Sequence, residues 1–242
     1  MSEWWTYGPR DLLLFSSRTY YRLFELYNLE WWPLHLGALA LGVAVLALGR
    51  RGGDRAGRAF GLILALCWLW VAWAFHWQRY ASINLAAGYF AWACVLEALF
   101  LLWLGGVRGR FAAVPACRLQ QRAGLGLFLF ALLVFPMIGP LLGRSWTQAE
   151  VFGMAPDPTA LATLGLLLFA GARPAWWLFP IPVAWCLLSG ATLWALASPD
   201  YPVAPLGALL AVVFAVVGAL PGAGRSAPIL AGRTGASSAS QR

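Results

Sequence analysis

The chain has 242 residues, of which 61% are hydrophobic and 11% are charged. Soluble domains are about half apolar and about a quarter charged, so this composition excludes an ordinary soluble domain and predicts a membrane protein. The formal net charge of +8 comes from arginine alone, since the sequence contains no lysine. A basic balance can indicate nucleic-acid binding, but membrane topology explains these arginines better, and we predict no nucleic-acid partner.

The segment before the first apolar run predicts a short amphipathic helix within residues 1–32. Its apolar face is spaced at i, i+3, i+4 and i+7 and consists of Tyr20, Leu23, Phe24 and Tyr27, with Arg18, Arg22 and Glu25 opposite. Ser17 is a candidate N-cap. Two placements stay open: the helix lies on the outer membrane surface with its aromatic rings in the interface, or it packs across the outer mouth of the bundle as a lid.

Seven apolar segments follow within 33–220, at about 33–49, 59–77, 84–104, 125–142, 159–172, 177–197 and 203–220. Most approach the roughly 20 residues that a helix needs to cross a hydrocarbon core. The predicted fold class is therefore all-α, a polytopic bundle of seven transmembrane helices. The fifth segment is the weak one, because its residues would rise only about 21 Å as a helix. Residues 221–242 are rich in Gly, Ala and Ser and predict a disordered cytoplasmic tail.

Arginine positions favour seven spans with the N-terminus outside and the C-terminus in the cytoplasm. Cytoplasmic loops of membrane proteins carry an excess of basic residues. With seven spans, 12 arginines fall inside and 5 outside; without the fifth segment, 8 fall inside and 9 outside. The asymmetry disappears in the second case, so the short fifth segment is needed.

Glu97 is the only acid well inside a predicted span. A charged and unpaired group at that depth costs several kcal/mol, which makes it a candidate functional residue. Proton or cation coupling is the role that its chemistry suggests. The alternative is a protonated side chain that hydrogen-bonds to a neighbouring helix and holds the bundle together.

A second candidate group ends the second apolar segment, and consists of His76, Arg79, Tyr80 and Asn84. On a continuing helix the first three would share one face. The alternative is that they only end the span at the headgroup layer. His35 should lie at a similar depth, so a two-histidine metal or haem site is conceivable, but no ligand motif accompanies it. We predict no metal and no cofactor.

A third candidate group precedes the fifth segment, and consists of Arg144, Glu150 and Asp157. Asp157, Pro158 and Thr159 predict the N-cap and first two positions of a helix. The positive end of that helix, with Arg144 nearby, could instead receive an anionic headgroup or solute. The four cysteines are far apart and indicate no disulfide or zinc site. No catalytic motif is present, so an enzyme is not predicted.

Three stretches, YYRLFELYNLEWWP, AWAFHWQRYASIN and EVFGMAPDPTALATLGLLL, together resemble domain-of-unknown-function family 6064, a family of bacterial multi-pass membrane proteins. The family pattern falls on Tyr27, Asn28, Trp32, Pro33, Gly153, Pro156, Pro158 and Thr159. Many members have cysteine where this chain has Asp157, so a thiol or metal-thiolate role at that position cannot hold here. The resemblance implies a bacterial inner-membrane location and adds no mechanism.

These observations predict a permease-like or small-solute- or ion-binding membrane protein with an outward-facing polar vestibule. The alternative is a non-catalytic accessory or assembly subunit of a larger membrane complex. The expected partners are membrane lipid, a small solute or ion, and either another membrane protein or further copies of the chain.

Overall fold

A computed structural model describes residues 14–51, 53–109, 111, 118–170 and 175–219. The predicted tail at 221–242 lies outside the described residues, as does the part of the N-terminal region at 1–13. The described residues form helices and no strand, which confirms the all-helical class.

Nine α-helices carry the fold of the described residues. They are α1 Ser17–Glu30, α2 Leu34–Arg51, α3 Gly53–Trp70, α4 Ala87–Leu101, α5 Arg118–Leu129, α6 Phe135–Leu141, α7 Pro156–Ala170, α8 Pro180–Ala195 and α9 Val203–Ala219.

Four helical stretches of the described chain are long and apolar enough to cross a membrane: Gly53–Ser82, Ala87–Val107, Arg118–Leu141 and Trp176–Ala195. A bent pair made of α1 and α2, with an angle of 87° between them, gives a fifth candidate. Helices α7 and α9 are apolar but shorter. The residues that the structure describes therefore include four or five helices suited to a membrane, and the seven-span arrangement stays a prediction.

Three of the long stretches contain π-helical turns, at Val71–Trp77, Leu102–Val107 and Phe130–Val134. A π turn holds one more residue than an α turn, and such turns occur frequently at functional sites. Because of this extra residue, the side chains that follow a π turn do not share a face at the i, i+3 and i+4 spacing of an α-helix. The first of these turns contains His76, one of the predicted site residues.

Helix α1 packs against the protein through its aromatic face. All four residues of the predicted apolar face are buried in the core. The Tyr27 hydroxyl donates to the Met154 carbonyl at 2.9 Å and accepts from Trp70 Nε1 at 2.9 Å. These contacts favour the lid placement over the interfacial one. The N-cap is Ser16, whose hydroxyl accepts from the Thr19 amide, and the prediction of Ser17 was wrong by one residue.

Further polar contacts join α1 to three connections of the chain, at 78–86, 142–155 and 196–202. Asn28 donates to the carbonyls of Thr147 and Ala149, each at 2.8 Å. The Ser17 hydroxyl donates to the Leu196 carbonyl at 3.0 Å, and Glu30 forms an ion pair with Arg79. We call the end of the bundle that carries α1 and these connections the lid end.

Helix α7 lies at the centre of the bundle. Every residue from Pro156 to Leu168 is buried, and the helix packs against α3, α5, α8 and α9. A helix that is apolar on all sides belongs in a core. The shortness of this segment, which made it doubtful as a span, is compatible with a membrane protein because its first turn lies inside the bundle and neighbouring helices cover its sides.

Helices α5 and α7 cross at Gly124 and Gly165. A Cβ atom at Gly165 would lie 2.7 Å from the Phe128 backbone nitrogen, and one at Gly124 would lie 2.5 Å from the Gly165 carbonyl oxygen. Glycine at both positions therefore allows the two backbones to touch.

Candidate functional site

The stretch 149–155 enters the bundle from the lid end without forming a helix. Glu150, Phe152 and Met154 are buried along it. Gly153 adopts φ +76°, a left-handed conformation that favours glycine. Its amide donates to the Thr159 hydroxyl at 2.9 Å. Buried backbone outside a helix must find other partners for its polar groups, and this stretch does so in part through the Gly153–Thr159 hydrogen bond.

Asp157 lies within the bundle and is bound to α8. Its Oδ1 accepts from Trp185 Nε1 at 2.7 Å, and its Oδ2 accepts from the Ser189 hydroxyl at 2.5 Å. Ser189 is six residues before the end of α8, a distance of about 9 Å along the helix. The carboxylate is therefore well below the lid-end limit of α8.

The predicted helix start needs a correction. Helix α7 begins at Pro156, and Asp157 is in its first turn. Both carboxylate oxygens bind α8 side chains, so they do not cap the helix. The Thr159 hydroxyl, predicted only as a helix position, instead donates to the Ala155 carbonyl at 2.6 Å.

Glu150 is a buried carboxyl group whose Oε2 has no hydrogen-bond partner in the part of the chain that the structure describes. Burial raises its pKa well above the usual value, and the negative charges of Asp157 and Asp200 raise it further. The positive charge of Arg144 acts in the opposite direction but does not cancel these effects. The protonated form of Glu150 is therefore favoured.

Arg144 and Asp200 form a largely buried ion pair in which 14% and 8% of the two side chains are exposed. The Arg144 guanidinium also stacks over the Tyr21 ring, 4.5 Å from its centroid. The Tyr21 hydroxyl bonds Ser198 at 2.6 Å, and Ser198 donates to Asp200. Helix α1 is thus attached directly to the ion pair. We call Arg144, Glu150, Asp157 and Asp200 the acid cluster.

The second predicted group divides between interior and surface. His76 and Tyr80 are buried with their ring centroids 5.9 Å apart. Arg79 pairs with Glu30, and Asn84 accepts from the Ala86 amide at 2.8 Å. The shared face of His76, Arg79 and Tyr80 was predicted for a continuing α-helix, and that condition is not met, because the π turn ends at Trp77 and a 3₁₀ turn begins at Tyr80.

His76 is fully buried, and neither ring nitrogen has a hydrogen-bond partner among the described residues. Its ring centroid is 4.8 Å from that of Trp185, which binds Asp157. His35 instead bonds Asn28 at 3.0 Å. The two histidines thus have separate surroundings, and the described residues contain no group of three metal-ligating side chains.

Glu97 is also fully buried, and neither carboxylate oxygen has a hydrogen-bond partner in the described chain. The alternative prediction, a protonated side chain that hydrogen-bonds to a neighbouring helix, therefore finds no such bond among the described residues. It lies ten residues from each end of the helical stretch Ala87–Val107.

Sequence reasoning missed Asp200, Trp185 and Ser189. Trp185 and Ser189 are four residues apart on α8 and therefore share a face, a signal that was available. Asp200 follows α8 in a turn, and nothing local links it to Arg144, 56 residues away.

The comparison with protein families bears on all these elements together. The profile of a family of unknown function, DUF6064, matches residues 17–220. The chain belongs to this family. In this DUF6064 chain the matched range begins with the first residue of α1 and includes the whole acid cluster, so the lid and the cluster are both within the family region. No curated protein and no solved structure matches the chain.

Proposed function

We propose that this DUF6064 chain is a permease-like membrane protein that binds a proton or a small cation at the acid cluster. The observation that carries this proposal is that carboxyl groups outnumber basic groups in the acid cluster, inside the bundle. Glu150 interacts electrostatically with Asp157, Asp200 and Arg144, and Arg144 pairs with Asp200, so the acid cluster has three carboxyl groups and one guanidinium group. If all were ionised, the charge would be −2.

An unbalanced charge of this size is expensive away from water, since the effective cost is several kcal/mol for each buried ion. The positive end of the α7 dipole supplies about half a charge at most. The negative charge that remains must be neutralised by a proton on Glu150 or by a bound cation. Carboxylate and carbonyl oxygens are among the ligands that hard cations prefer; the acid cluster supplies carboxylates, and the backbone of stretch 149–155 supplies carbonyls.

Local architecture supports the same proposal. Many transporters bind ions where a helix is interrupted inside the membrane, because freed backbone groups and the helix end then face the ion. The stretch 149–155 has part of this arrangement, because buried non-helical backbone leads directly into the first turn of α7. Helix α1 covers it, so access from the lid end requires α1 to move or to admit water.

The proposal includes seven spans, with the lid end outside and the C-terminus in the cytoplasm of a bacterial inner membrane. The arginine asymmetry supports this orientation. The grouping of connections 78–86, 142–155 and 196–202 at one end also fits helices that alternate in direction.

Reporter fusions test the orientation. Fusions after Gly105 and after Arg225 should both report the cytoplasm. A fusion after Gln148, in the connection beneath α1, should report the opposite side and serves as the control. An external C-terminus would contradict the seven-span arrangement.

Glu150→Gln tests the binding site. Because the pKa of Glu150 is raised in the folded state, its contribution to stability is fully present below the unfolded value of about 4.3 and is lost as pH rises toward the folded value. The slope for one group is at most about 1.4 kcal/mol per pH unit. We expect wild-type thermal midpoints in detergent to fall as pH rises and to recover when a bound monovalent cation is added.

Glu150→Gln should flatten both responses. Glu25→Gln is the matched control, since Glu25 pairs with Arg22 on the outer face of α1 and not with the cluster. Equal pH and cation responses in wild type and Glu150→Gln would overturn the proposed site.

Flux measurements distinguish the permease from a subunit of a larger complex. Proteoliposomes that contain wild-type protein should carry the stabilising ion, and those with Glu150→Gln should not. Absence of flux together with a stoichiometric membrane partner in mild detergent would favour the accessory-subunit function.

A further inference from the structure

Two fully buried polar side chains lie outside the acid cluster, and both lack hydrogen-bond partners among the described residues. They are His76 in the π turn after α3 and Glu97 in α4. An unsatisfied buried polar group costs about 1–3 kcal/mol. Water molecules that satisfy these groups would remove that cost.

Contacts place His76 beside the acid cluster. Its ring packs on Trp185, and the Trp185 indole donates to Asp157 at 2.7 Å. The His76 ring also packs on Phe90 of α4, with centroids 6.0 Å apart. His76 is therefore positioned between Asp157 and the first turn of α4.

Helix α4 leads from this contact to Glu97. Phe90 and Glu97 are seven residues apart, or two turns, so they share one face and are separated by about 10.5 Å along the axis. Cys94 is buried between them and interacts electrostatically with Glu97. About three water molecules at hydrogen-bond spacing of about 2.8 Å would bridge this interval.

We propose that His76 and Glu97 form a proton path that joins the middle of the membrane to the acid cluster. The path deepens the proposed function, on which it rests, by naming the proton as the ion and α4 as its route. Glu97 is the inner protonation site, and His76 passes protons between it and Asp157.

One proton leaves Glu97 for each proton that reaches Asp157. The Glu97 O–H bond breaks as a water molecule takes its proton. Each bridging water molecule along α4 accepts one proton and passes one onward. One nitrogen of His76 gains a proton while the other nitrogen releases one to a further water molecule, and that water passes a proton to the Asp157 carboxylate. Histidine suits this position because its two ring nitrogens can each accept or donate.

Hydrogen–deuterium exchange of the Glu97 carboxyl group tests the path without a transport assay. Infrared spectra of reconstituted protein should contain a carboxylic-acid C=O band that Glu97→Gln removes. In wild type this band should shift promptly after transfer to D₂O. We expect the exchange to be at least tenfold slower in His76→Phe, because the relay between Glu97 and the lid end is removed.

His35→Phe is the matched control, because it changes the other histidine, which bonds Asn28 and stacks on Trp32. It should exchange at the wild-type rate. His76→Gln keeps polar atoms but cannot relay by protonation, so it should also exchange slowly. The fold of each variant is checked with a thiol reagent. The buried cysteines Cys67, Cys94 and Cys186 should stay unreactive in a folded variant.

Three results would overturn the path: no carboxylic-acid band lost in Glu97→Gln, a wild-type band that stays unexchanged, or equal exchange in wild type and both His76 variants. Such a result leaves the Glu150 measurements untouched, so failure of the path and failure of the binding site are separable.

Discussion

Arg144→Met is expected to lower the free energy of unfolding by about 3–5 kcal/mol, the usual cost of removing one partner from a buried ion pair. Asp200 would lose its ion-pair partner with only 8% of its side chain exposed, and Glu150 would lose the nearby cation. The stacking on Tyr21 would also be lost. Helix α1 should therefore detach more readily.

Arg79→Met is the matched control, because Arg79 also pairs with an acid at the lid end but is 31% exposed, and its partner Glu30 is 47% exposed. Exposed pairs contribute about 0–1 kcal/mol. Thermal unfolding can be followed by a thiol-reactive dye, since Cys67, Cys94 and Cys186 are buried. Equal midpoints for the two variants would contradict the structural importance of the buried pair.

The double variant Arg144→Met/Asp200→Asn should regain part of the lost stability, because it removes the uncompensated charge as well as the cation. A double-mutant cycle separates this electrostatic coupling from the packing of the arginine on Tyr21.

Gly165→Ala is expected to cause the second large loss. The new methyl group would lie 2.7 Å from the Phe128 backbone nitrogen and 2.8 Å from the Gly124 carbonyl oxygen. Overpacking costs about 1–3 kcal/mol where side chains can adjust. Backbone atoms of α5 cannot turn aside as side chains do, so the helices must separate and the loss should reach the upper end of that range.

Gly126→Ala tests this reasoning on the same pair of helices. Gly126 is two residues from Gly124 on α5, and a Cβ atom there would meet nothing within 4 Å. Alanine favours a helix over glycine by about 1 kcal/mol, so this variant should be as stable as wild type or more stable. A similar thermal midpoint for Gly165→Ala would show that the two helices can move apart freely.

Features with a local cause could be predicted from the sequence. The spacing of Tyr20, Leu23, Phe24 and Tyr27 predicted the buried face of α1, because a helix places such residues on one side. The apolar composition predicted helices suited to a membrane, and the depth of Glu97 in its segment predicted a buried acid. The family resemblance was also confirmed.

Features that depend on distant parts of the chain could not be predicted. Asp157 was assigned to a helix cap because its neighbours have that pattern, but Trp185 and Ser189 of α8 bind both carboxylate oxygens instead. The separation of His76 from Arg79 follows from a π turn, whose extra residue has no plain sequence signature. Asp200 joined the cluster only through the fold.

Because α7 lies at the centre of the bundle, it is synthesised before one of the helices that cover it. Ser189 follows Asp157 by 32 residues, and a ribosome adds about 5–20 residues per second. For about 2–6 seconds, the acid at the start of α7 exists before the α8 hydroxyl that binds it has been made. During that interval Asp157 lacks the α8 side chain that binds its Oδ2, so α7 reaches its buried central position only when α8 has been made.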